Sequence, residues 1–466
     1  NADSGDCTAG AGYFLNKYFK VVKRNCASGT NACAAASYKS IGGDNAGILA
    51  GDYCIQTTNG AAICMKRNTE DNKVFIDLNI DVNGQADPNI TGRDVFYLTV
   101  QENGTVTNDL WESLRSCQKP VLLYGMGNGA DKIIATCERK GIDICDCFAS
   151  DGFVRGQLFH GRRVLSFSEA KDKYRDSGFV ALLSFGSFLP DVMDKIRQVG
   201  KECELYAPDV PVFGDTLFDM TFCRQNFDRL QSAYELMTDD ISKHLFADMI
   251  RFKLTGNLRF LTVTDQTRQT IYRDLLRAEH FSSYLDLGAY NGDTVRELLT
   301  AAPSLQTAYA WEPDRRSFAK LQAYAESETR CRVIPLQCGA WSKPDTLTFD
   351  DSGNRNASIL ENASADIKGR IRRTTAIAVE PPDHFLRDRD VDFIKYDVEG
   401  AEHEALIGTR QTIADKAPAL WVSAYHRSED LFDLPLLLHE LQPAYRLYLR
   451  RTPYIPAWDL HLIAIR

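Results

Sequence analysis

Apolar residues follow two regimes along this chain, and the change falls near residue 108. Downstream of Leu110, short apolar runs alternate with stretches whose apolar positions recur at helical spacing, which is the pattern of α/β folding. Strands are predicted over residues 120–124, 142–148, 281–287, 308–311, 332–336, 391–396, 421–425, 446–450 and 459–465. A helix over 131–140 separates the first two. The final two should form an antiparallel pair around a 453–456 loop, completing a seven-stranded sheet over 281–466. Residues 236–280 carry Leu236, Ile241, Leu245, Met249 and Ile250 at helical spacing and predict a helical connector packed on the last domain.

Upstream, residues 1–107 are rich in Asn, Gly, Ala, Thr and Asp. Tyr13, Phe14, Tyr18, Val21 and Val22 predict a helix over 11–24. Strands are predicted over 60–65, 73–77 and 94–100, giving a small α+β domain. The chain therefore divides into 1–107, a Rossmann-like βαβ domain over 108–235, the connector over 236–280, and the larger sheet domain over 281–466.

Composition narrows the function classes. A net charge of −9 gives no general attraction to nucleic acid or anionic membrane. No apolar run approaches the roughly 18 residues of a membrane helix, and no signal-peptide pattern is seen, so neither export nor anchoring is expected. Cys7, Cys26, Cys33, Cys54 and Cys64 crowd the first segment, either as part of a disulfide framework or as free thiols. No cysteine spacing suggests zinc.

Two motifs in the first half have chemical potential. Asp77, Asn79, Asp81, Asn83 and Asp87 alternate as oxygen ligands of a calcium loop would, but the closing bidentate Glu is missing, and a solvated turn is the competing reading. Gly125-Met-Gly-Asn-Gly-Ala130 sits at a strand-to-helix junction. There Gly125 permits a tight turn, Gly127 lets a phosphate approach, and Ala130 packs closely, with Asp146 and Asp151 as candidates for a ribose. The same turn also serves tight packing with nothing bound, and Arg155, Arg162 and Arg163 read as a solvated loop.

The chemistry concentrates in 281–466. Asp286-Leu-Gly-Ala-Tyr-Asn-Gly-Asp-Thr294 places carboxylates on both sides of a GxxxG turn. Those carboxylates repel a pyrophosphate and attract an amino group and a sulfonium, which favours S-adenosylmethionine over NAD. Gly288 and Gly292 would let the ligand lie against the backbone. Glu312, 24 residues after Gly288, ends the second strand and suits a ribose. Cys338-Gly-Ala-Trp-Ser342 offers room for adenine beside Ala340, with Trp341 covering one side. Asp397-Val-Glu-Gly400 ends the fourth strand and His426 follows the fifth. Asp397, Glu399 and His426 are candidate general bases for a hydroxyl acceptor. The same three suit a divalent metal, although none is expected, and His426 also fits a structural role. Tyr454 and Trp458 are placed at the rim of an acceptor pocket.

These motifs, with Trp311-Glu-Pro-Asp314 and Phe393-Ile-Lys-Tyr-Asp-Val-Glu-Gly-Ala-Glu402, resemble the FkbM family of methyltransferases. The resemblance covers 281–466 and, through the Rossmann-like half, extends from about 109. It implies class I S-adenosylmethionine-dependent O-methylation of a sugar, glycan or secondary-metabolite hydroxyl, with cofactor contacts at Asp286, Gly288, Ala289, Tyr290, Gly292, Asp293 and Glu312 and adenine-side contacts at Ala340 and Trp341. The stretch from Val74 to Phe96 resembles the globular part of type IV pilin-like and pseudopilin proteins, which implies pilus or secretion-system partners for 1–107. One resemblance implies the cytoplasm and the other an extracellular or periplasmic site, so a fusion of unrelated segments stands as an open reading. Sensing of a nucleotide sugar by the Gly125 turn is a third.

Overall fold

A computed structural model divides the chain into two units, Asn1–Asp109 and Leu110–Arg466. The structure describes residues 11–15, 21–25, 52–56, 62–67 and 74–77 of the first 107, and residues 108–261, 266–350 and 374–466 beyond them.

The first unit holds strands β1 (Ala11–Leu15), β2 (Val21–Asn25), β3 (Asp52–Gln56), β4 (Ala62–Arg67) and β5 (Val74–Asp77). Where a helix was expected over 11–24, the described residues Ala11–Leu15 and Val21–Asn25 are strands. β1 and β2 pair antiparallel instead, with Ala11 opposite Asn25. The physical reason lies in the residue types: Tyr13, Phe14, Val21 and Val22 favour extended backbone, and Gly12 weakens a helix. β3, β4 and β5 form an antiparallel sheet in which Cys54 stands opposite Cys64. Cys7, Cys26, Cys33, the strand expected over 94–100, and Asn79 to Asp87 lie outside the described residues.

In the second unit, β6 (Val121–Tyr124), β7 (Ile144–Ala149), β8 (Leu165–Ser166), β9 (Val180–Leu183) and β10 (Glu204–Tyr206) build a parallel sheet in the order β8-β7-β6-β9-β10. β6 is buried along its whole length, as its unbroken apolar run requires. It leads into helix α1 (Asn128–Lys140), which ends at left-handed Gly141.

The connector is helical. Its main helix, α2 (Asp240–Thr255), starts under a cap from Asp239 to the Ser242 amide and stops at left-handed Gly256.

The larger sheet is laid down as β11 (Ser283–Leu287), β12 (Thr307–Trp311), β13 (Arg332–Leu336), β14 (Phe393–Tyr396), β15 (Ala419–Ser423), β16 (Arg446–Arg451) and β17 (Leu460–Ile465). Its order is β13-β12-β11-β14-β15-β17-β16, parallel except for β17, which runs antiparallel to both neighbours. Under it, Phe281 and Tyr284 stack on Phe393 at 5.2 and 5.1 Å, and Tyr272 meets Trp421 at 5.1 Å. α2 docks on β16, where Ser242 Oγ accepts from the Leu449 amide at 2.9 Å and Arg450 pairs with Asp239 at 2.5 Å. Among the described residues no helix is long and apolar enough to cross a membrane.

The strand order reverses between β11 and β14, and open α/β sheets bind ligands at the carboxyl edge of such a point. The 452–459 loop between β16 and β17 closes over that edge. It reaches the smaller sheet through paired backbone bonds between Ser187 and Ile455, at 2.8 and 3.0 Å. Gly186 is pressed against Tyr454 and Trp458, and a Cβ there would stand 2.7 Å from each ring.

Candidate active site

At the ends of β11, β12 and β14 lies a cleft of about 680 Å³. Gly288, Tyr290, Asp293, Glu312, Ala340, Asp397 and Glu399 all line it, as do Tyr454 and Trp458 from the 452–459 loop. Gly288 and Glu312 therefore share one cavity.

The glycine turn is clamped to the neighbouring strand. Gly288 and Ala289 donate to the Trp311 carbonyl at 3.0 and 2.9 Å, and the Tyr290 amide donates to Glu312 Oε2 at 2.8 Å. Glu312 Oε1 accepts from the Asp314 amide at 2.8 Å. Each oxygen keeps further lone-pair capacity for a ligand hydroxyl. Burial lifts the Glu312 carboxyl to about 8, the two amides opposing that rise. Asp314 caps the following helix through the Ser317 amide at 2.8 Å.

The glycines serve the protein's own packing more than ligand clearance. A Cβ on Gly288, at φ +88°, would lie 1.9 Å from the Asp397 carbonyl oxygen, and one on Gly292 would lie 2.2 Å from the Tyr324 ring. Gly292 and Ala289 do not line the cleft.

Asp286 also stands behind the wall. It is fully buried, accepts from Thr294 Oγ1, and lies 3.6 Å from Lys395 Nζ. Burial raises its carboxyl to about 6, with Lys395 and Thr294 pulling the other way. Asp286, expected among the cofactor contacts, does not line the cleft. Trp341 is likewise turned away: it packs with Ile377 and Val379, and its amide donates to the Glu380 carbonyl at 3.0 Å. Ala340 faces the cleft, so in extended backbone the next side chain points to the opposite side. Cys338, Gly339 and Ile377 form the rest of that wall.

At the other end, Asp397 accepts from Ser423 Oγ at 2.9 Å and from Lys395 Nζ at 3.2 Å. Burial opposes its ionisation, but Lys395, His426 and Arg268 hold it well below the ordinary carboxylate range. Glu399 has φ +54° and a carboxyl raised to about 7, chiefly by burial. His426 is fully buried and does not line the cleft. Its Nδ1 is 2.9 Å from Glu402 Oε1, and its Nε2 is 3.5 Å from Glu399 Oε2 and 3.7 Å from Asp397 Oδ1. Burial alone would lower its pKa, yet the three carboxylates lift it to about 10. A direct base role for His426 is therefore disfavoured by position and by charge.

Sequence reasoning passed over Lys395, Arg268 and Glu297, all of which line the cleft. A lysine inside the apolar run Phe-Ile-Lys-Tyr was the available signal for the first. Arg268 had none, because its partners Glu297 (3.6 Å) and Asp459 (3.1 Å) are remote in sequence. With Asp293, Glu297, Glu312, Asp314, Asp397, Glu399 and Asp459 against Lys395 and Arg268, the lining is predominantly acidic.

The Gly125 turn sits apart from this chemistry. Neither the cleft nor a smaller cavity of about 210 Å³ beside α1 is lined by Gly125, Gly127 or Ala130. Gly125 gives way to the Phe185 ring, Ala130 is buried, and only the place a Cβ would take on Gly127 is open. Asp146 Oδ2 accepts from Lys173 and Tyr174 and Asp151 accepts from Ser168, while Asp146 borders the smaller cavity and not the cleft.

No curated protein matches the chain. Among solved structures, it is similar to the methyltransferase FkbM of Methylobacillus flagellatus KT, at 20% identity and a TM-score of 0.58, over 81% of this chain and 100% of that one. A precorrin-6y C5,15-methyltransferase of Geobacter metallireducens GS-15 aligns at 11% identity and a TM-score of 0.27, over 43% of this chain and 88% of that one. The family match gives no support to a pilin-like reading of 1–107, for it lies wholly in the C-terminal sheet domain. That domain, residues 286–451, matches the family model of the Methyltransferase FkbM domain.

Proposed function

We propose that the second unit transfers a methyl group from S-adenosylmethionine to a hydroxyl of a sugar, glycan or small metabolite. The observation that carries this reading is a single acidic cleft in which the Gly288 turn and Glu312 share a wall. A cationic nucleoside is favoured there and a pyrophosphate is repelled. Glu312 suits the two ribose hydroxyls, the wall from Cys338 to Ala340 with Ile377 suits the adenine, and Asp293 beside the turn suits the amino group. When bound, the cofactor supplies an electrophilic methyl on a sulfonium.

The chain's own residues then have to hold the acceptor in line and take its proton. Glu399 lines the acceptor end and is the carboxylate we assign to that proton. Lys395 keeps Asp397 ionised next to it. Tyr454, Trp458 and Phe188 give the acceptor an aromatic wall, with Tyr454 5.6 Å from Trp458 and 5.9 Å from Phe188. Because S-adenosylmethionine is an intracellular metabolite, we place this activity in the cytoplasm. The test is transfer of labelled methyl from S-adenosylmethionine to a panel of sugars, glycolipids and small alcohols, with amines and thiols as controls. Label reaching only amines or thiols would refute hydroxyl specificity.

A further inference from the structure

We infer that Asp397, Glu399 and His426 form a binding site for one divalent cation at the acceptor end of the cleft, with Glu402 holding the imidazole from behind. His426 is the centre of the site. Its ring is fully buried; Nδ1 faces Glu402, while Nε2 has no hydrogen-bond partner although two carboxylates stand near it. A buried polar group left in that state is costly unless something further satisfies it.

Glu402 defines which nitrogen is available. It is buried, and its two oxygens accept from the Val398 and Gly400 amides at 2.9 and 3.0 Å, so it is fixed in place. Glu402 Oε1 lies 2.9 Å from His426 Nδ1. That is the position of an outer carboxylate that orients a metal-bound imidazole. The tautomer with Nδ1 protonated leaves the Nε2 lone pair directed at Glu399 and Asp397.

The spacing fits an ion. Ligand atoms about 2.1 Å from a common centre lie roughly 3.0–3.4 Å apart in octahedral or tetrahedral arrangement. Here Nε2 is 3.5 Å from Glu399 Oε2 and 3.7 Å from Asp397 Oδ1, each a few tenths of an ångström beyond that range, and an ion on the cleft side would have to draw the two carboxylates toward each other as well as toward the imidazole. Each carboxylate keeps its other oxygen for a second partner. Asp397 Oδ2 stays with Lys395, and the second Glu399 oxygen is left for the acceptor. Glu399 also holds a left-handed backbone, at φ +54°, which is unusual for a side chain of this kind and turns up at functional sites. One imidazole with two carboxylates, open on the cleft side, suits Mn²⁺, Zn²⁺ or Fe²⁺. The competing state is an imidazolium that neutralises the same acids without any ion. The site stands on its own geometry, while its use in activating an acceptor hydroxyl rests on the proposed methyl transfer.

The experiment titrates chelator-treated, full-length protein with Mn²⁺, following free ion by electron paramagnetic resonance, and measures S-adenosylmethionine binding on the same sample. We expect one saturable Mn²⁺ site, weakened at least about tenfold in His426→Gln, Glu399→Gln and Glu402→Gln. Should His426→Gln fail to fold by circular dichroism, Glu399→Gln carries the test. Wild-type protein without saturable binding of Mn²⁺ or Zn²⁺, or variants that bind as it does, overturns the inference. Cofactor binding without Mn²⁺ binding sinks the ion site alone; Mn²⁺ binding without cofactor binding sinks the methyltransferase reading alone.

Discussion

Replacing Gly288 by alanine tests whether the turn and the fourth strand end are held as one unit. Two costs add. At φ +88°, a residue with a Cβ is strained by about 1–2 kcal/mol. The new Cβ would also meet the Asp397 carbonyl oxygen at 1.9 Å, against 3.4 Å or more for ordinary contact, so one backbone must move by the difference. Overpacking of that kind costs about 1–3 kcal/mol more. The sum is about 2–5 kcal/mol, a large part of the about 5–15 kcal/mol that stabilises a typical domain. Gly127→Ala is the control for backbone strain without a clash: its φ is also positive, at +102° with ψ −161°, but a Cβ there meets nothing within 4 Å. Urea unfolding followed by circular dichroism should show Gly288→Ala losing at least about 1 kcal/mol more than Gly127→Ala. Equilibrium dialysis below the unfolding range should show S-adenosylmethionine binding weakened about tenfold or more in the first variant only. Equal stability of the two variants, or unweakened binding in Gly288→Ala, would refute the reasoning.

Further outcomes follow from the same geometry. Because the Glu312 carboxyl sits at about 8, a proton must leave before both oxygens accept ribose hydroxyls. Cofactor affinity should therefore rise with pH from 6.5 to 8.5, by at most about tenfold per unit, and calorimetry should find that part of the slope missing in Glu312→Gln. Lys395→Met leaves Asp286 and Asp397 without their shared cation and should cost about 3–5 kcal/mol in urea unfolding; a loss under 1 kcal/mol would contradict the pairing. Trp458→Ala removes aromatic wall at the acceptor side. It should raise the acceptor KM by about tenfold, equivalent to about 1.4 kcal/mol, while cofactor affinity stays near the wild-type value; the reverse split would misplace the acceptor.

What could be read from the sequence was set by local chemistry. β11, β12 and β14 were visible because apolar runs end abruptly in Gly288, Glu312 and Asp397, and an α/β sheet brings such ends to one edge. Side-chain direction was not visible. Asp286 and Gly288 are two residues apart, yet one is sealed behind the wall and the other lines it. Trp341 turned away for the same reason, one residue past the edge. His426 was grouped with Asp397 and Glu399 and lies beside them, but its contact with Glu402 was not foreseen, since Glu402 lies on a different element and reaches it only in the fold. Over 11–24 the difference had another source: the apolar residues keep helical spacing, but Tyr13, Phe14, Val21 and Val22 favour extended backbone, and the described residues pair as antiparallel strands.

A carboxylate-lined cleft should accept a sulfonium nucleoside and refuse a dinucleotide. Isothermal titration of the intact chain with S-adenosylmethionine and, separately, with NAD⁺ measures this most directly. The expected result is one molecule of S-adenosylmethionine bound per chain, competed by S-adenosylhomocysteine, and no heat from NAD⁺. Saturable binding of NAD⁺, or no binding of S-adenosylmethionine by folded protein, would contradict it.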